Sequence, residues 1–201
     1  MSVKSIKVLS VLAASMLASS VMANDGTLNF RGEIVAASCE LTGGSGTVVG
    51  GDASNQIIDI DMGKVSVDSI ANAAGNGSIA ASKNINLNLD CGGTGTGLTS
   101  VNVAFDPASG SGYDATNSAL LALEAGGATG VGIGLYDTSS KLIDLRAGEY
   151  FTAPLVEADD GQGGLAYTAD LNIRASYVAN GDATIEPGLA NATLPFTITY
   201  Q

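Results

Sequence analysis

Residues 24–34 read Asn-Asp-Gly-Thr-Leu-Asn-Phe-Arg-Gly-Glu-Ile and alternate between apolar or small residues and polar ones. The side chains of an extended strand point alternately to its two faces. One face of this predicted strand therefore carries Gly26, Leu28, Phe30, Gly32 and Ile34. A strand with one apolar face buries that face either in its own domain or in another molecule, and the sequence leaves both possibilities open at this point.

The residues before this strand have the pattern of a secretory signal peptide. Lys4 and Lys7 give a basic start, and residues 8–17 form an apolar run that is too short to cross a bilayer. The small-residue sequence Val21-Met-Ala23 predicts cleavage after Ala23, whereas the alternative is an uncleaved anchor helix or buried strand. We therefore expect an exported mature chain that begins at Asn24, with no later segment of the about 18 apolar residues that a membrane span needs.

The charge of the chain argues against nucleic acids and membranes as partners. The full chain of 201 residues has a formal net charge of −12, and loss of Lys4 and Lys7 with the signal peptide makes it −14. Nucleic acids and anionic membrane surfaces bind proteins that carry clustered Lys and Arg. We expect neither nucleic-acid binding nor direct membrane insertion.

The residue types also argue against an enzyme, a metal site and a cofactor. The chain has no histidine, which excludes Ser-His-Asp and Cys-His catalysis and His-ligated zinc. The glycine-rich stretches 43–46 and 92–97 lack the strand–loop–helix context of a phosphate-binding loop. Five acids remain as candidates, and we expect all of them in solvated turns or on outward strand positions: Asp59, Asp61, Asp90, Asp159 and Asp160.

The chain has two cysteines, Cys39 and Cys91, and both lie in the mature part. Two cysteines in an exported protein predict one disulfide. A redox-active pair normally has the Cys-x-x-Cys spacing, which this chain lacks.

Alternating patterns dominate the mature chain and predict an antiparallel β-sandwich. The predicted strands are residues 57–62, 85–91, 101–105, 131–136, 141–145, 171–177 and 194–200. Residues 115–125 are the one helix candidate, although a strand fits there as well. Residues 42–52 and 71–78 are rich in small or polar residues and predict surface loops.

Several of these segments together resemble one family, the type 1 fimbrial subunits of the chaperone–usher pathway. The resemblance begins with Phe30-Arg-Gly-Glu-Ile-Val-Ala-Ala-Ser-Cys39 and continues with Asp61-Met-Gly-Lys-Val. Ile85-Asn-Leu-Asn-Leu-Asp-Cys91 and Leu171-Asn-Ile-Arg-Ala-Ser-Tyr177 match two later strands of the family. The last match runs from Pro187-Gly-Leu to the penultimate tyrosine, Tyr200. The order of these motifs and the cysteine spacing make the resemblance specific over essentially the whole mature chain.

The resemblance implies an incomplete immunoglobulin-like antiparallel β-sandwich that lacks its last strand and has one disulfide. It implies three parts: a signal peptide (1–23), an N-terminal donor-strand extension (24–34) and a pilin domain (35–201). The missing strand would be supplied by donor-strand addition, with Gly26, Leu28, Phe30, Gly32 and Ile34 of one subunit entering the groove of the next. The groove, which a periplasmic chaperone fills first, would be lined by the inward residues of the C-terminal strand: Leu194, Phe196, Ile198 and Tyr200.

The resemblance thus predicts a structural subunit of a bacterial surface pilus, or fimbria, that supports adhesion. Its expected partners are other pilin subunits, the periplasmic chaperone and an outer-membrane usher, and its expected route leads through the periplasm to the cell surface. Two alternatives remain. One is a minor adaptor subunit of the same pilus, and the other is a secreted, monomeric carbohydrate-binding β-sandwich module.

Overall fold

The computed structural model describes residues 39–45, 47–52, 55–75, 79–80, 82–182 and 184–201. All of them belong to the unit Val35–Gln201. The predicted signal peptide, the predicted donor strand and the boundaries between them lie outside the described residues and stay predictions.

The described chain consists mainly of strands. In chain order the elements are β1 (Glu40–Gly43), β2 (Val48–Asp52), β3 (Asn55–Asp59), α1 (Val67–Gly75), β4 (Ser82–Asp90), β5 (Ser100–Phe105), β6 (Val131–Tyr136), β7 (Phe151–Pro154), β8 (Val156–Asp159), β9 (Leu165–Ala179) and β10 (Phe196–Tyr200). Among the described residues, no helix is long and apolar enough to cross a membrane.

The larger sheet has the strand order β1-β4-β9-β6, with β8 also paired to β9, and all of its pairs are antiparallel. Alternation explains which face it buries. Ile85, Leu87 and Leu89 of β4 are buried, and the asparagines between them point to the other face. The predicted strands at residues 85–91, 131–136 and 171–177 are thereby confirmed, although β9 is much longer than expected.

The smaller sheet has the order β10-β5-β7 and is also antiparallel. Val101 and Val103 of β5 are buried, as are Phe151 and Ala153 of β7. These side chains belong to the same hydrophobic cluster as the inward residues of the larger sheet. Two sheets around one core are a β-sandwich, which confirms the predicted fold class.

The predicted disulfide is confirmed. Cys39 and Cys91 are bonded across a sequence separation of 52 residues. Because β1 and β4 are paired with Glu40 opposite Asp90, the disulfide continues this pairing by one position. It therefore ties the edge strand of the larger sheet to its neighbour.

Two predicted elements before and after β6 are wrong. Residues 115–125 form neither a helix nor a strand, and residues 141–145 make only an isolated bridge between Leu142 and Tyr136. Both segments instead hydrogen-bond to the edge of β6: Leu121 N–H donates to the carbonyl of Ile133, and Ile143 N–H donates to that of Leu135. A Cβ atom added at Gly132 would lie 2.9 Å from Cβ of Leu120, so the glycine side of β6 is where the first of these segments packs closely.

The two predicted loops contain regular structure. Residues 71–78 overlap the helix α1, in which Ile70 is buried against the core and the hydroxyl of Ser66 accepts a hydrogen bond from the N–H of Ser69. Residues 42–52 contain β2, which forms a hairpin with β3. Neither element was predicted from the sequence, because alanine-rich helices and glycine-containing strands give only weak hydrophobic periodicity.

Candidate strand-binding groove

An open apolar groove of about 1480 Å³ runs between the two sheets. Its floor includes Leu87 and Leu89 of β4 and Leu171 and Ile173 of β9. One wall is β10, and the other is the segment 56–62, which we call the lip. The groove therefore leads from the surface directly to the centre of the hydrophobic core.

The burial pattern of β10 shows that one face of the strand borders the groove. Phe196, Ile198 and Tyr200 line the groove and are only half-buried, whereas Thr197 and Thr199 are exposed. Leu194, just before the strand, lines the groove as well. The structure thus brings together all four residues that the sequence placed on the C-terminal strand.

The free edge of β10 carries unpaired positions for a further strand. The hydrogen bonds from Asp106 N–H to the carbonyl of Pro195 and from Gln201 N–H to the carbonyl of Ser100 fix the hydrogen-bonded positions of the β5–β10 pair. Because bonded and non-bonded positions alternate, the backbone groups of Phe196, Ile198 and Tyr200 point away from β5. Among the described residues, no strand pairs with that side of β10.

The lip alternates in the same way as β10. Ile58, Ile60 and Met62 are half-buried and pack against the core, whereas Asp59 and Asp61 are exposed. Each wall of the groove therefore turns apolar side chains inward and polar side chains outward.

The lip runs from β1 toward α1. Its first residue, Gln56, donates from Nε2 to the carbonyl of Leu41, close to the disulfide end of β1. Its other end leads into α1, which packs against β9, the strand that contains Tyr177. Tyr177 donates in turn to the carbonyl of Ala190, 3.1 Å away, on the segment that leads into β10. The chain that follows the lip and the segment that leads into β10 therefore both contact β9.

Burial controls the ionisation of the tyrosines around the groove. Burial raises the pKa of Tyr177, and the negative charge of Asp61 raises it further. Burial alone raises the pKa of Tyr200. Both hydroxyls therefore stay protonated in neutral solution, so the groove presents neutral aromatic side chains.

The remaining acidic candidates support turns. Asp90 accepts a hydrogen bond from the N–H of Gly92, Asp159 from that of Gly161, and Asp160 from that of Gln162. In the part of the chain that the structure describes, no group of three or more His, Cys, Asp or Glu residues is placed to hold a metal ion.

Sequence reasoning missed two parts of the groove. Residues 57–62 were predicted as a strand, but β3 ends at Asp59 and nothing in the pattern assigned the segment to a groove wall. Leu189, which is 75% exposed at the groove, was likewise not singled out. Its exposure beside an apolar groove is visible only in the tertiary structure.

The donor residues Gly26, Leu28, Phe30, Gly32 and Ile34 lie outside the described residues. Their relation to the groove stays a prediction.

Comparison with known proteins gives the family. Residues 28–201 match the model of the fimbrial protein family. The chain is 36% identical over 196 residues to long polar fimbria protein A of Salmonella typhimurium, covering 96% of this chain and 92% of that protein. It is 35% identical over 201 residues to the probable major fimbrial subunit LpfA of Escherichia coli O157:H7, covering 97% of each.

Among solved structures, the crystal structure of the P pilus rod subunit PapA is similar, with a TM-score of 0.48 and 19% identity over 88% of this chain and 99% of that chain. The family assignment itself rests on the sequence matches, which cover nearly the entire chain. The chain therefore belongs to the fimbrial protein family and is a structural subunit of a bacterial cell-surface pilus.

Proposed function

We propose that the groove receives residues 24–34 of another copy of this chain, and that repetition of this step builds the pilus. One observation supports the proposal above all: the free edge of β10 borders an apolar groove whose inward side chains are only half-buried. An exposed strand edge over an open core favours pairing with a further strand.

The amino-acid pattern of residues 24–34 matches this groove. Leu28, Phe30 and Ile34 share one face of the predicted strand and would enter the groove, while Gly32 would lie where the space is shallow. Each fully buried side chain of this size contributes roughly 1.5–3 kcal/mol. The backbone of the added strand would bond to that of Phe196, Ile198 and Tyr200.

Such pairing is head-to-tail, because the donor strand and the groove are different parts of the chain. A head-to-tail contact that does not close into a ring generates a filament. The relative named as a probable major fimbrial subunit favours a place in the body of the fibre, in which each copy gives one strand and accepts one.

The same groove explains the need for helper proteins. A lone subunit with an open core and an unpaired strand edge is prone to aggregate. We propose that a periplasmic chaperone covers the groove after export, and that an outer-membrane usher exchanges it for the next subunit. The work of the chain on this account is mechanical support for adhesion, without catalysis.

The first experiment compares fibre material sheared from cells on a denaturing gel, unheated and boiled. We expect a ladder of multimers that collapses on boiling to a single band of mature size, because buried strand exchange dissociates very slowly. A single monomer band in both lanes would mean that residues 24–34 complete their own domain, and a monomeric carbohydrate-binding module would then be the better explanation.

A matched pair of variants locates the contact. Gly32→Leu adds a large side chain to the apolar face of the donor strand and should abolish the ladder, while folded, oxidised subunits remain in the periplasm. Thr27→Leu adds the same side chain to the polar face and should leave the ladder intact. Normal fibres from Gly32→Leu, or equal losses from both variants, would contradict this assignment.

A further inference from the structure

We propose that Arg31 of the incoming strand pairs with the carboxylates of Asp59 and Asp61 on the lip, and that this pair sets the register of the strand and favours a copy of this same chain. The inference rests on the proposed function, since it assumes that residues 24–34 enter the groove. It adds a polar determinant to an otherwise apolar contact.

The lip offers a negative outer surface. Asp59 and Asp61 are exposed and alternate with the inward-facing Ile58, Ile60 and Met62. Four charged residues line the groove in the described part of the chain, and three of them are acidic: Asp59, Asp61, Lys64 and Glu186. One oxygen of Asp61 accepts a hydrogen bond from the N–H of Gly63, which holds that carboxylate at the rim.

The donor strand offers the matching charge on the matching face. Arg31 lies with Thr27, Asn29 and Glu33 on the polar face of residues 24–34, and it is the sole basic residue between Asn24 and Gly63. When the apolar face enters the groove, the polar face lies on the same side as Asp59 and Asp61 of the lip. Residues directly opposite on adjacent strands have Cβ atoms about 5 Å apart, which is within the reach of an arginine side chain.

The charges also distinguish the two directions in which the strand could enter. A strand can run along the lip either in the same direction as the lip, from Gln56 to Met62, or in the opposite direction. With Arg31 beside Asp61 and the strand running in the same direction as the lip, the next outward residue, Glu33, lies beyond Asp61 and away from Asp59. In the reverse direction Glu33 would lie beside Asp59, and like charges directly opposite each other are destabilising.

The test is a double-mutant cycle on intact fibres. Purified fibres are incubated in urea at low ionic strength, and released monomer is measured with time on unheated gels. R31E should increase the rate of release by about two- to fivefold, the range expected for loss of a cross-strand ion pair. High salt should reduce the difference, because the charges lie at the surface.

Neutralising the lip identifies the partner of Arg31. In the background D59N/D61N, in which the side-chain amide oxygen introduced by D61N can still accept the hydrogen bond from Gly63, R31E should change the rate by less than about twofold. The matched control D159N/D160N removes two acids from a turn that does not line the groove, and there R31E should keep its full effect. If R31E prevents fibre formation, R31Q takes its place in the same cycle.

Two results would overturn the inference: equal release rates for R31E and the unchanged chain at low salt, or an undiminished effect of R31E in D59N/D61N. Neither would contradict strand exchange itself. Failure of the unchanged chain to form heat-sensitive multimers would instead contradict the proposed function.

Discussion

Strands β9 and β10 have the same alternating pattern of apolar and polar residues but very different surroundings. In β9, Leu171 is 0% exposed and Ile173 is 4% exposed. In β10, Phe196, Ile198 and Tyr200 face the same core and are only half-buried. Strand β9 pairs with β4 from Thr168 to Ser176 and with β8 and β6 at its two ends, whereas β10 has one strand partner, β5, among the described residues.

This difference shows that neighbours, and not the pattern of the strand, decide how far an apolar face is buried. The larger sheet has five strands in the described residues, and the disulfide holds its edge strand β1 to β4. The smaller sheet has an open side on the groove. The two regions should therefore respond differently to mutation, since one affects the stability of the subunit and the other affects its assembly.

The largest loss of subunit stability is expected from Cys39→Ser, which removes the disulfide that ties β1 to β4 in the larger sheet. Closure of a loop with a sequence separation of 52 residues corresponds to about 4 kcal/mol through the unfolded state. Urea unfolding of the mature subunit should show this decrease in the free energy of unfolding. A reducing agent should destabilise the unchanged subunit by a similar amount and have no effect on the variant. Equal urea midpoints for Cys39→Ser and the unchanged subunit would show that the disulfide contributes little to the free energy of unfolding.

The next largest effect compares the two strands directly. Leu171→Ala leaves a cavity in a fully buried position and should lower the free energy of unfolding of the subunit by about 3 kcal/mol. Ile198→Ala removes atoms that are only half-buried and should cost the isolated subunit less than about 1 kcal/mol. In the fibre, however, Ile198→Ala should speed dissociation, because the proposed donor-strand addition would complete the burial of Ile198.

Thr197→Ala is the matched control for that comparison. Thr197 points outward from the same strand and should change neither subunit stability nor fibre dissociation appreciably. If Ile198→Ala destabilises the isolated subunit as strongly as Leu171→Ala, then β10 is already as well covered as β9 and the contrast fails.

The smallest effect concerns alkaline pH. Burial raises the pKa of Tyr200, so its contribution to stability is fully present below the ordinary tyrosine pKa of about 10 and is lost as the pH rises through the higher folded-state value. Tyr200→Phe should therefore weaken the fall in unfolding free energy above that pH, as measured by urea unfolding at a series of pH values. Identical profiles for Tyr200→Phe and the unchanged chain would contradict the prediction.

Strict alternation made several strands predictable from the sequence. The segments that became β4, β5, β6, β9 and β10 each repeat an apolar residue at every second position. Such a pattern indicates a β-strand with one buried face. The disulfide was predictable for a similar reason, because an exported chain with two cysteines has one way to pair them within itself.

The errors have a common physical cause. Residues 141–145 alternate, yet Leu142 packs over Gly134 of β6 instead of joining a sheet. The helix α1 is short and built largely of small residues, so its stability depends on the burial of Ile70 in the core. In both cases a tertiary contact, and not local preference, selected the structure.

By itself, the sequence determined the alternation of the strands, the single disulfide, the acidic charge and the family. These properties depend on residue type and on short-range spacing. The tertiary structure alone decided that β10 has no strand partner besides β5 among the described residues, that β10 and the lip line one apolar groove, and that Asp59 and Asp61 are exposed beside it. An open edge is the absence of a neighbour at a given place, and that depends on how distant segments meet in space.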